Sequence, residues 1–144
     1  SGEDFEKEIA KYFKAPIGGQ QFFDINGLVF HAKHKISGSS IPHGRFTALA
    51  RQKLWNLFWS EYKQVPKANI FIRSHVHYYD FCGGYNWLAV ITPCLKGWGD
   101  KFGERECEGT VDFGIFHMDI EDQNNWTWKA HIAQAVESAT VHKY

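Results

Sequence analysis

Two short apolar segments constrain the fold of this chain most, because each runs directly into histidine and then into a loop. Residues 28–34 lead into a Ser/Gly-rich stretch, and residues 69–73 lead into Ser74-His75-Val76-His77. Apolar runs of this length, bounded by turn residues, are typical of strands. The segment between them, residues 47–62, has apolar side chains at helical spacing. The order strand, helix, strand therefore places both groups of histidines at strand ends.

The remaining segments extend this pattern to the whole chain. Asn26-Gly27 lies between apolar runs, which is the strongest short-range signal for a hairpin. The predicted elements are a helix at 4–14, a hairpin of 21–25 with 28–34, a loop at 35–45, a helix at 47–62, a strand at 69–73, a broken apolar segment at 87–95, a Gly-rich loop at 96–109, a hairpin of 110–120 with 126–132, and a weakly helical tail. We therefore expect an α+β fold with mixed β-sheets and flanking helices.

The helix at 47–62 carries an apolar stripe that two tryptophans widen. The stripe consists of Ala50, Leu54, Leu57, Phe58 and Tyr62, together with Trp55 and Trp59. Such a stripe is typical of an amphipathic helix.

Composition limits the class of protein. The chain has 144 residues, of which 44% are hydrophobic, so a single domain over residues 3–144 with a real core is expected and disorder is not. Ser1-Gly2 is interpreted as a tag-cleavage scar. The formal net charge is zero, so the sequence lacks the excess of positive charge that favours binding to nucleic acid, although nucleic acid stays among the possible partners. No apolar stretch is long enough to predict a membrane span. Three widely spaced cysteines indicate a reducing compartment, and we expect a cytoplasmic location.

The eight histidines are the candidates for chemistry. If the strand continued through His75 and His77, both imidazoles would project to one side and could bind Zn, Mn or Fe. The alternative is an exposed pair without a ligand. His31 and His34 have opposite parity, so only one of them should face a shared site. His117, His131 and His142 have no partner at metal-binding spacing and are interpreted as structural.

In this order, the segments resemble the C-terminal half of the calcineurin-like metallophosphoesterases, especially phage and prokaryotic members. The matching segments are LVFHAKHKISGSS, TALARQKLWNLFWSEY, NIFIRSHVH and WLAVITPCL. The resemblance implies part of an αββα sandwich and a metal site whose ligands are His34, His75 and His77, with His31 as the alternative to His34. It also implies a divalent metal cofactor, which could be Mn, Zn, Fe or Ni. A complete site of this family would hold two such ions.

Two departures from the family pattern affect these expectations. Ser74 stands where the family usually has Gly, and the family's N-terminal half with its Asp-x-His, Gly-Asp and Gly-Asn-His segments is absent. Gly99-Asp100 comes after the His pair and is not followed by Gly-Asn-His. The chain is therefore expected to be half of a domain. We expect it to need an N-terminal half or to self-associate, because the incomplete fold would expose apolar surface.

The function implied is hydrolysis of phosphomonoesters or phosphodiesters by metal-activated water, with catalytic residues unassigned. The candidate phosphate contacts are His43, Arg45 and Arg73, since arginine binds phosphate bidentately. The alternative is a non-catalytic binding or assembly module on the same scaffold. A third hypothesis is a mononuclear metal site built on the three histidines alone.

Overall fold

The computed structural model describes residues 5–39, 41–95, 111–134 and 141–143. Their elements are α1 (Phe5–Tyr12), β1 (Gln20–Ile25), β2 (Leu28–Lys35), α2 (Pro42–Glu61), β3 (Ile70–Ser74), β4 (Asp80–Gly84), β5 (Trp87–Ile91), β6 (Gly114–Ile120) and β7 (Trp126–Ile132). The loop predicted at 96–109 and most of the predicted C-terminal tail lie outside the described residues. Neither described helix is long and apolar enough to cross a membrane.

Five strands form one mixed sheet in the order β1-β2-β3-β5-β4. The pairs β2–β3 and β3–β5 are parallel, whereas the outer pairs β1–β2 and β4–β5 are antiparallel. Helix α2 connects β2 to β3, as parallel neighbours require a crossover. The carboxyl ends of β2, β3 and β5 therefore meet at one edge of the sheet.

The predicted hairpin at Asn26-Gly27 is confirmed. Asn26 and Gly27 both have positive φ, at 50° and 91°, as a two-residue turn between twisted strands requires. The predicted hairpin near the C-terminus is also confirmed, as the pair β6–β7.

Strand β4 was not predicted, because Asp80–Gly84 ends in two glycines and has low β-propensity. Its backbone lies so close to β5 that a Cβ on Gly83 would stand 2.7 Å from the carbonyl oxygen of Trp87. Glycine is therefore required there by close approach.

The two faces of the five-stranded sheet are covered by different elements. On one face α2 packs over a cluster that includes Leu49, Phe71 and Ile91. On the other, the β6–β7 hairpin packs its inner side chains, among them Trp126 and Trp128, against a second cluster. The layers are thus helix, sheet and hairpin, and the predicted α+β fold with a mixed sheet is confirmed.

Helix α2 differs from its prediction in where it begins and in which face it buries. It begins at Pro42 rather than at residue 47, because proline is favoured in the first turn, where its missing N–H is not needed. The apolar stripe does not pack on the sheet: Trp55, Phe58 and Trp59 are each about half exposed (55%, 50% and 51%), and Tyr62 is 74% exposed.

The face of α2 that packs on the sheet is partly polar. Buried Asn56 donates to the carbonyl of Pro66 at 2.9 Å and accepts from the backbone N–H of Ala68 at 2.8 Å. Lys53 donates to the carbonyl of Ala68 at 3.1 Å. These hydrogen bonds connect α2 to the segment before β3. They also pair polar groups that would destabilise the fold if they were buried without a partner.

Candidate metal site

Two of the predicted ligands meet at the carboxyl edge of the sheet. His34 lies near the end of β2 and His75 directly follows β3, which pairs with β2 in parallel. The Nε2 atom of His34 lies 3.2 Å from Nδ1 of His75, and the two rings cross at 72°. Parallel strands place their functional groups at this edge in many α/β proteins.

The backbone after β3 departs from the predicted strand. His75 and His77 both have positive φ, at 82° and 63°. The expectation that they project together as alternate residues of a strand is therefore wrong, because β3 ends at Ser74. Two non-glycine residues in this left-handed region cost roughly 1–3 kcal/mol each, so the surrounding contacts must hold the loop in place.

Contacts from the segment before β6 provide part of that support. Asp112 donates its backbone N–H to the carbonyl of His77 at 2.8 Å, and its carboxylate accepts the backbone N–H of Tyr79 at 2.6 Å. Ser74 and Thr92 join their hydroxyls at 2.8 Å, which ties the end of β3 to the residue after β5. The loop that carries His75 and His77 is therefore held from two sides.

The alternative ligand, His31, lies away from this pair. Its Nδ1 is 3.2 Å from Nη2 of Arg73 and its Nε2 is 3.2 Å from the amide oxygen of Gln20. An arginine can only donate, so Nδ1 accepts and Nε2 carries the proton. The ring also stacks on Phe22, with 4.2 Å between the centroids. Of the two candidates it is His34 that approaches His75.

The environment of His31 favours its neutral form. Burial lowers the pKa of His31 to about 4, and the positive charges of Arg73 and Lys33 add to this decrease. The imidazole is therefore uncharged at neutral pH.

Arg73 is a buried residue and not a phosphate contact. Its side chain is 0% exposed, so the prediction that it reaches a substrate is wrong. Nε donates to Gln52 of α2 at 2.9 Å, and Nη1 donates to the carbonyls of His31 and Ile72 at 2.7 and 2.8 Å. Burial lowers the pKa of Arg73 to about 10, which leaves it charged at neutral pH. The guanidinium joins β2, β3 and α2 beneath the surface.

The other two candidate phosphate contacts lie in the first turns of α2. His43 is exposed. Arg45 places its guanidinium 3.9 Å from the centre of the Tyr78 ring, and its Nε donates to the carbonyl of Ser39 at 3.2 Å. Arg45 therefore lies beside both loops that follow the histidine-bearing strands.

Within the described ranges, no three His, Cys, Asp or Glu side chains converge as a metal-binding group, so His77 does not join His34 and His75 in the predicted set of three ligands. Two imidazole nitrogens on one zinc ion, each bonded at about 2.0–2.1 Å, lie roughly 2.9–3.4 Å apart for bond angles between 90° and tetrahedral. The contact between His34 and His75 fits that separation. The residues thus fit two ligands of one ion.

A second pair of histidines was missed by sequence reasoning. His131 Nε2 lies 3.0 Å from Nδ1 of His117, and the two rings stack at 4.9 Å. The interpretation that neither has a partner is therefore wrong. The two residues are 14 positions apart, and only the register of the hairpin brings them together. His142 is exposed.

Comparison with known proteins adds little. No protein-family model matches the chain, and no curated protein is similar to it. Among solved structures, the crystal structure of a single mutant of Vps29 from Entamoeba histolytica is similar at a TM-score of 0.46 and 12% sequence identity, over 82% of this chain. The chain spans 62% of the length of that Vps29 chain. At this level the similarity assigns neither a family nor an activity.

Proposed function

We propose that this chain carries histidine ligands of a divalent-metal phosphoesterase site at the edge where β2 and β3 end. The observation that supports the proposal is the 3.2 Å contact between His34 Nε2 and His75 Nδ1. The two side chains come from adjacent parallel strands, and their nitrogens have the separation of two ligands on one ion. We propose His77, in the same loop, as the third ligand; because it does not converge with His34 and His75 in the described structure, its side chain would have to turn toward the ion on binding.

The roles of the protein groups follow from their positions. A bound metal would polarise a phosphoryl oxygen and activate a water molecule. His34 and His75 would hold the ion. The contacts of Asp112 with the loop would fix the position of His75 relative to β2. Arg45 would add positive charge beside the phosphate.

The site requires further ligands from outside the described residues. Phosphoester hydrolysis by metal ions commonly uses two ions bridged by carboxylates, and three imidazoles are too few for such a pair. The nearby Asp112 carboxylate already accepts a backbone N–H. We therefore expect the chain to bind a metal ion but to hydrolyse phosphodiesters little or not at all by itself.

The test measures both properties on the purified chain. With Mn²⁺ and bis(p-nitrophenyl) phosphate, turnover should stay near background. Isothermal titration with Mn²⁺ or Zn²⁺ should show binding that His34→Ala and His75→Ala each weaken, whereas His43→Ala leaves it unchanged. Robust Mn²⁺-dependent hydrolysis that is lost in His75→Ala would show that the site is complete. Metal binding that is indifferent to His34 and His75 would refute the proposal itself.

The exposed face of α2 favours a second candidate function, that of an assembly module. Trp55, Phe58, Trp59 and Tyr62 line an apolar groove of about 430 Å³ on this face. Contiguous exposed apolar surface marks contact sites in soluble proteins. We propose that a second copy of the chain covers it. Analytical ultracentrifugation should show self-association that Trp59→Glu weakens, with Tyr85→Glu, in a fully exposed turn, as the control. A clean monomer would contradict this candidate.

A further inference from the structure

The second histidine pair lies on the outer face of the β6–β7 hairpin, away from the five-stranded sheet. In the register of the hairpin, Ile115 pairs with His131 and His117 pairs with Lys129. His117 and His131 are therefore diagonal neighbours on one face, which is within reach of long or aromatic side chains. Both side chains are exposed, whereas the inner face carries Phe116 and Met118 against the core.

We propose that His117 and His131 form a two-ligand site for a divalent transition-metal cation. The 3.0 Å between His131 Nε2 and His117 Nδ1 lies within the separation of about 2.9–3.4 Å expected for two imidazoles on one ion. In the absence of metal, one nitrogen donates a hydrogen bond to the other. Binding replaces that proton by the cation, and water occupies the remaining positions.

Asp119 supports this arrangement from behind the first ring. Its carboxylate lies 3.4 Å from Nε2 of His117, the nitrogen that does not face His131. Histidine ligands commonly donate their second N–H to a carboxylate, which fixes the tautomer and strengthens the ligand. With Nε2 protonated toward Asp119, Nδ1 of His117 presents its lone pair on the side of His131.

The neighbours and the ligand types indicate which cations fit. Lys129 pairs with His117 across the hairpin, and its positive charge opposes a cation, whereas the carboxylate of Asp119 offsets that charge. Imidazole suits Zn²⁺, Ni²⁺ and Cu²⁺, with Cu²⁺ bound most tightly at a given site. Since the ligands come from two strands, the bound ion would join β6 to β7 and stabilise the folded chain.

The experiment isolates this site by removing the other pair. In the His34→Ala/His75→Ala background, one equivalent of Zn²⁺ should shift the side-chain ¹⁵N resonances of His117 and His131 together. His131→Gln or His117→Gln should weaken binding by more than about tenfold, and Asp119→Asn by about tenfold. His43→Gln is the control and should retain binding, and Lys129→Gln, which removes an opposing charge, should bind at least as tightly. Zn²⁺ should also raise the melting temperature only where both rings are present.

The ¹⁵N shifts and the affinities of the two glutamine variants decide whether the hairpin site exists. Joint shifts of the two rings, with loss of binding in either glutamine variant, would support the site. Unshifted rings, or equal affinity in the folded His131→Gln and His117→Gln variants, would overturn it. Circular dichroism confirms that each variant is folded, and the two variants provide independent readings of the same pair. The test does not depend on phosphoesterase activity, so its failure leaves the strand-end site untouched.

Discussion

Two pairs of histidines lie in this protein at nearly the same nitrogen separation, but the backbone holds them in different ways. His34 and His75 join at 3.2 Å across parallel strands, and His75 lies in a loop with positive φ. His117 and His131 join at 3.0 Å on a regular antiparallel ladder. The first pair depends on tertiary contacts that fix an unfavourable backbone, whereas the second depends only on the register of a hairpin.

The difference also concerns what lies beneath each pair. Under the strand-end region, the buried guanidinium of Arg73 joins β2, β3 and α2. The hairpin pair has water on its outer side and the second apolar cluster under its strands. The strand-end pair should therefore be sensitive to substitutions that never touch a histidine, and the hairpin pair should tolerate them.

Replacement of Arg73 should have the largest effect. Arg73→Ala leaves a cavity and removes the donors to two carbonyls and to Gln52, so we expect a loss of about 3 kcal/mol in the free energy of unfolding. Urea denaturation followed by circular dichroism measures it. Lys129→Ala on the exposed face of the hairpin is the matched control and should cost less than about 0.5 kcal/mol. Equal effects at the two positions would show that the two regions are supported alike.

Glycine substitutions should have opposite signs in the two pairs. At His75, with φ of 82°, glycine removes the Cβ that strains the left-handed conformation. His75→Gly should therefore be more stable than His75→Ala by about 1 kcal/mol. At His117, within β6, His117→Gly should be less stable than His117→Ala by about 0.5–1 kcal/mol. The two differences come from thermal denaturation of four variants, and the same sign at both positions would contradict the comparison.

A further expected effect is a pH dependence that belongs to the strand-end region. The pKa of His31 is lowered to about 4 in the folded chain, so between pH 6.5 and 4 the unfolded chain binds a proton that the folded chain does not. The free energy of unfolding should therefore fall as the pH decreases through this window. Below about pH 4, His31 should contribute no further decrease. In His31→Gln the decrease in urea midpoint between pH 6.5 and 5 should be shallower. An unchanged slope would exclude His31 as its source.

Local patterns in the sequence predicted most of the elements, because each of them depends on neighbouring residues. The Asn26-Gly27 turn, the strand predicted at 69–73 and observed as β3, and the final hairpin are of this kind. Strand β4 escaped prediction because its glycines are required by contact with β5, which no local pattern reveals.

Prediction failed where long-range contacts decide the geometry. The orientation of α2 follows from hydrogen bonds of Gln52, Lys53 and Asn56, so its most apolar face points outward. The backbone at His75 and His77 turns because β3 ends at Ser74. The pairing of His117 with His131 depends on the register of the hairpin.

The measurement that tests the central claim most directly is a Zn²⁺ titration of the wild-type chain, followed by the side-chain ¹⁵N resonances of all the histidines. Because a fixed loop and a third candidate ligand favour the strand-end pair, His34 and His75 should shift before His117 and His131. Saturation of the strand-end pair at about one equivalent, before the hairpin pair shifts, is the predicted result. Filling of the hairpin pair first, or unshifted His34 and His75 at excess Zn²⁺, would contradict the claim that the edge of β2 and β3 is a metal site.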